Sequence, residues 1–180
     1  TVSGGMEGDA PERGMVCSLG DCEANALSTW DDIQAAAERH YDRSEDCSFT
    51  TFVGYEYTQG QEMANLHRNV IFKNETVTRL PISVFETDSS VPELWRQLRS
   101  QCLDADNDCD VLAIPHNPNL GGGLMCPDPA TEQQAIDRLE IEPLVELVQH
   151  KGASECRFDR LAGMVSTLKT SYAASSKYPL

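Results

Sequence analysis

Three short runs of β-branched and aromatic residues constrain this chain most. Residues 49–57 (FTTFVGYEY), 66–73 (LHRNVIFK) and 110–115 (DVLAIP) have the length and composition of strands. Only the loop around Thr58-Gln59-Gly60-Gln61 parts the first two, so they can pair as a hairpin. Between the second and third, Pro81 breaks the chain and a helix follows. Ser90 is its expected cap, with Glu93 at the capping-box position and Pro92 in the first turn. Leu94, Trp95, Leu98 and Cys102 recur on one side of that helix and predict its buried stripe.

The flanks follow the same logic. An earlier helix is expected to begin after Ser28 and end near Arg43, with Trp30, Ile33, Ala37 and Tyr41 at helical intervals. Residues 131–141 read as a further helix and 143–149 (PLVELVQ) as a fourth strand, followed by a turn at His150-Lys151-Gly152. Strands separated by helices favour an α/β chain with βαβ connections. The expected organisation is an extended segment over 1–27, an α/β domain over 28–157, and a tail over 158–180 that declares no core element.

Composition narrows the function. The chain has 180 residues, with 14 Lys plus Arg against 29 Asp plus Glu, a formal charge of −15. A nucleic-acid binder needs a basic face, so no nucleic-acid partner is expected. The charge also disfavours anionic membrane surfaces, and no apolar run approaches the roughly 20 residues of a spanning helix. The apolar fraction of 40% is too high for an acidic disordered chain.

Seven cysteines fall at 17, 22, 47, 102, 109, 126 and 156. CSLGDC and CLDADNDC lack metal-ribbon spacing, and their polar intervening residues suit small disulfide-closed loops. A bridge is favoured for Cys102 with Cys109; Cys17 with Cys22 is open between a bridge and reduced thiols. Bridges would imply a periplasmic or secreted protein. Seven is odd, so at least one thiol is free or pairs outside the chain. Asn74-Glu75-Thr76 is a glycosylation sequon, relevant only in a eukaryotic secretory protein.

Three residues share a position relative to the strands. Glu56 lies near the end of the first, His67 opens the second, and His116 follows the third. Functional groups gather at the carboxyl ends of strands in α/β folds, and His67 reaches that edge if its strand runs antiparallel. Imidazole and carboxylate together suit zinc, manganese or iron. On the residues alone, the structural alternative is favoured: His116 as a hydrogen-bonded strand-end residue, and Glu56 as a partner for Arg68.

The wider text shifts that balance. FTTFVGYEYT, NLHRNVIF, DVLAIPHNPNLGGGLM and EPLVELVQHKGASE, taken in order over residues 28–157, resemble a bacterial family known only as a domain of unknown function. That family is similar to the PHP (polymerase and histidinol phosphatase) metal hydrolases. The resemblance implies a distorted (β/α) barrel, here partial and with mixed strands, that binds divalent metal and hydrolyses an ester or phosphoester substrate with metal-activated water. It makes Glu56, His67 and His116 the metal ligands. Asn117 or Asn119 could then orient substrate, and Arg68 or Lys151 could meet an anionic leaving group; for each of these four the alternative is a solvent-exposed loop residue. PHP-like sites also carry an HxH pair and a closing Asp-x-His, and neither is present here. His40 sits on the first helix without a partner histidine, and His150 lacks the closing context. The chain therefore reads as the middle of a larger barrel, with the missing segments of its parent as partners. The competing expectation is a catalytically degenerate binding or structural module of a secreted or periplasmic protein.

Overall fold

The computed structural model describes residues 13–14, 17, 20–61, 64–121, 124–126, 128–150 and 152–153. Its centre is a three-stranded sheet of β1 (Gly54–Tyr57), β4 (Arg68–Phe72) and β5 (Val111–Pro115), in the order β1-β4-β5. Two residue pairs, β2 (Gly60–Gln61) and β3 (Ala64–Asn65), make a small ladder within the β1–β4 connection. Three helices accompany the sheet: α1 (Cys22–His40), α2 (Val91–Leu98) and α3 (Glu132–Ile141). A π-helical turn, Arg99–Leu103, extends α2.

Both strand pairings are antiparallel. The β4–α2–β5 connection is thus a return rather than the parallel crossover that βαβ reading expects. The hairpin-like pairing of β1 with β4 agrees with the short loop between them. Because β1 and β5 both run against β4, their carboxyl ends and the amino end of β4 share one edge.

Side-chain alternation divides the sheet into two faces. Tyr57, Arg68, Val70, Phe72, Val111 and Ala113 are buried beneath the helices. Ile71, Leu112 and Ile114 lie half-buried on the other face with exposed Glu56 and Asn69. The core face meets Leu94, Trp95 and Leu98 of α2, each fully buried. This is the stripe expected from sequence, and Ser90 accepts the Glu93 N–H as its cap at 3.3 Å. Trp30 of α1 packs on Tyr55 and Phe72, and its indole donates to the Thr78 carbonyl at 3.0 Å. Ile141 of α3 closes the core, while Arg99 on the π-helical turn pairs with Asp137 and Glu140 of α3.

Gly54 serves a close approach. A Cβ there would meet the Val70 carbonyl oxygen of β4 at 2.8 Å, inside any normal contact. Glycine lets β1 lie against β4 at the register Gly54↔Ile71.

Two boundaries differ from expectation. The first helix starts at Cys22, so residues 22–27 are helical rather than extended. Its cap is Asp21, whose carboxylate accepts the Ala24 N–H at 2.9 Å, and Ser28 lies inside the helix. The expected strand over 143–149 is also absent as such. Only Val148–Gln149 (β6) pairs, in a hairpin with Gly152–Ala153 (β7), and residues 142–147 are irregular. Leu144, Val145, Leu147 and Val148 are exposed, so their apolar character does not mark a buried strand.

Both short-spaced cysteine pairs are bridged, Cys17 to Cys22 and Cys102 to Cys109. Cys47 and Cys126 are free and exposed. Among the described residues no helix is long and apolar enough to cross a membrane. Asn74 of the sequon is tied into the fold: its amide donates to the Asp108 carbonyl and its oxygen accepts the Thr76 N–H. The tail over 158–180 lies outside the described residues.

Candidate metal centre

The shared edge assembles the site. Register places Glu56 opposite Asn69, and the β4–β5 ladder ends at Arg68 opposite Pro115. His67 and His116 are the next residues out, and the His116 N–H donates to the His67 carbonyl at 3.2 Å. Residues 56, 67 and 116 all project from the face opposite the core, as period-two alternation from their neighbours requires.

The three side chains converge. One oxygen of Glu56, Oε1, lies 2.9 Å from His67 Nδ1 and 2.9 Å from His116 Nε2. The imidazole rings meet edge to face with centroids 5.6 Å apart. Ligand atoms of all three lie within 4.8 Å of one another. Both histidines are largely shielded and Glu56 is the solvent-facing member. A ring nitrogen bearing a proton donates to the carboxylate; one bearing a lone pair presents it towards the same point. Two imidazole nitrogens and a carboxylate oxygen are a donor set that fits zinc, manganese or iron.

Other candidates fall elsewhere. Arg68 points into the core, fully buried. Its Nε donates to Glu142 Oε1 at 2.6 Å, and its other nitrogens donate to the Leu66 and Met125 carbonyls. The guanidinium is committed there, out of reach of a leaving group, and its acid partner is Glu142 rather than Glu56. Asn117 follows His116 but its side chain is buried, with Oδ1 lacking a partner among the described residues. Asn119 is half-buried and accepts from Gln149. Lys151 lies outside the described residues. His40 and His150 are exposed and stand apart from the cluster.

Two glutamates that sequence reading passed over support this edge. Glu142 Oε1 also accepts the Trp95 indole N–H at 2.9 Å, tying Arg68, the neighbour of His67, to α2. Glu146 Oε2 accepts the Asn117 N–H at 2.7 Å. Both lie in EPLVE, whose apolar residues suggested a strand and masked the four-residue spacing of the acids. A separate groove of about 580 Å³ lies between α1 and the 79–86 segment, lined by Trp30, Ile33, Leu80 and Phe85 among others, and includes none of the cluster.

These features define a chain of three helices and a small antiparallel sheet that carries a His/His/Glu cluster at one edge. A family model described as "Protein of unknown function (DUF3604)" matches residues 6–163, and the chain belongs to that family. Comparisons with curated proteins and with solved structures gave no match.

Proposed function

We propose that this chain is part of a metal-dependent hydrolase in which Glu56, His67 and His116 hold one divalent cation, zinc, manganese or iron. The observation that carries the reading is the convergence of three donors from three strands within 4.8 Å. A cation held there supplies Lewis acidity, lowering the pKa of a bound water and stabilising charge on an ester or phosphoester. The protein's own part is positional. The sheet edge fixes both imidazoles, and Glu56, the most exposed of the three, faces the side from which substrate approaches. The half-buried apolar face with Ile71, Leu112 and Ile114 suits the interior of a PHP-like barrel in a longer chain. Two disulfides are consistent with a periplasmic or secreted setting.

Metal analysis of the purified protein tests this directly. Stoichiometric Zn, Mn or Fe is expected, lost in Glu56→Ala, His67→Ala and His116→Ala, together with hydrolysis of p-nitrophenyl phosphate or p-nitrophenyl acetate. A protein that takes up no metal would sink the reading and leave the non-catalytic module. Metal without turnover would retain the site and remove the hydrolase.

A further inference from the structure

We infer that Glu146 is the positioning residue of His116 and sets the metal affinity of the cluster through it, an inference that rests on the proposed metal site. One residue grips the chain on both sides of the ligand. The Glu146 N–H donates to the Pro115 carbonyl at 3.0 Å, and its carboxylate accepts the Asn117 N–H at 2.7 Å. His116 is the residue between these two contacts. Its own N–H is taken by the His67 carbonyl, so the backbone around the ligand is bonded at three successive residues.

The grip falls where the chain needs it. β5 ends at Pro115, and Asn117 then adopts φ 54° and ψ 42°, a left-handed conformation that asparagine tolerates better than most non-glycine residues. The carboxylate of Glu146 on the Asn117 N–H fastens it.

Glu146 is well placed for such a role. Leu144, Val145, Leu147 and Val148 around it are exposed, so apolar burial does not anchor the segment. Among the described residues its side-chain attachments include Glu142 on Arg68 beside His67, and Glu146 astride His116. Groups that orient metal ligands without touching the metal commonly change affinity by about 10- to 100-fold when removed. A glutamate that merely pinned a loop would alter melting temperature and leave imidazole and metal unmoved.

The test combines Co²⁺ titration, read by its visible spectrum, with ¹H–¹⁵N spectra of the imidazoles in the metal-free protein. Four histidines keep the imidazole spectrum assignable. Glu146→Ala is expected to weaken Co²⁺ binding by about 10- to 100-fold and to shift the His116 ring signals while His40 and His150 stay in place. Glu146→Gln retains an accepting oxygen and should recover most of both. If the alanine variant fails to fold, Glu146→Met fills similar volume without an acceptor and takes its place. A folded variant without the acceptor that keeps wild-type Co²⁺ affinity and wild-type His116 signals overturns the inference. If wild-type protein binds no Co²⁺, the metal reading fails separately. The ring signals then decide whether Glu146 positions His116: a shift retains that half and no shift removes it.

Discussion

Glu142→Gln should be one of the more damaging isosteric changes available in this protein, and its cost should depend on Arg68. Both partners are almost wholly buried, at 0% and 2% side-chain exposure, with Nε 2.6 Å from Oε1. Glutamine keeps the volume and an oxygen for the Trp95 indole but leaves the guanidinium charge unpaired in the core. Breaking a buried pair from one side costs about 3–5 kcal/mol. Against a typical domain stability of about 5–15 kcal/mol, that is a large share. For a chain of this size it lowers the melting temperature by roughly 6–20 °C. In an Arg68→Met background the same substitution removes a buried carboxylate left, among the described residues, with only the Trp95 indole and Arg138 at 4.0 Å, so it should cost far less than in wild type. The coupling between the two sites should then approach about 3 kcal/mol. Urea denaturation with disulfides intact, followed by circular dichroism and by Trp30 and Trp95 fluorescence, measures all four states of the cycle. A cost for Glu142→Gln below about 1 kcal/mol, the scale of an exposed pair, would mean that the buried pair does not carry this stability. So would an equal cost in both backgrounds.

Other perturbations probe different levels of the structure. Gly54→Ala forces a Cβ against the Val70 carbonyl and should cost about 1–3 kcal/mol in urea melts; a variant as stable as wild type would mean β1 can shift freely. The Arg96 guanidinium bonded to Glu93 brings that carboxyl down to about 2 from the ordinary glutamate range. Because the folded-state value is depressed, Glu93 contributes stability that is present above the ordinary range and is lost as pH falls towards 2. Glu93→Gln should therefore be less stable than wild type at pH 7 and converge on it only below about pH 2, and a pH-independent difference in melting temperature would contradict this. Opening Cys102–Cys109 by replacing both with serine frees a loop of sequence separation 7 and should cost roughly 2.4 kcal/mol, read as a lower denaturation midpoint. Under denaturing conditions, reductant should raise the thiol count by the four sulfurs of the two bridges, and no rise would exclude them.

Local signals made parts of the fold legible. Ser90, Pro92 and Glu93 announce α2 within one turn, and its stripe faces the core because spacing alone sets which side chains align. The β1, β4 and β5 runs carry β-branched and aromatic residues because each packs one face under the helices. The start of α1 was not legible from Ser28: Asp21 is an equally good capping residue, and Cys22, joined to Cys17, lies at the first turn. The direction of β5 against β4 was not legible either, since a helix between two strands permits either sense when the connection is long enough. Here 38 residues lie between Phe72 and Val111, and the chain returns antiparallel.

The site divides along the same line between local and distant information. Glu56, His67 and His116 stand out because each sits at a strand end, and strand ends are readable from a few neighbours. What surrounds them is set at long range. Arg68 looks like a surface cation beside a ligand, yet its partner is 74 residues away. Asn117 looks like a loop residue, yet its backbone answers to a carboxylate 29 residues on. Both acids lie in a segment whose leucines and valines imitate a strand. Apolar residues report burial only where something covers them, and in this segment they are exposed while the glutamates turn inward. Inward-facing acids flanked by exposed apolar residues reverse the usual pattern. That reversal is economical only where the buried Glu142 carboxylate and the half-buried Glu146 carboxylate have donors to meet, as the Arg68 guanidinium and the Asn117 N–H provide. The chemistry next to the two histidines thus explains the shape of the 142–147 segment better than the hydropathy of the segment itself does.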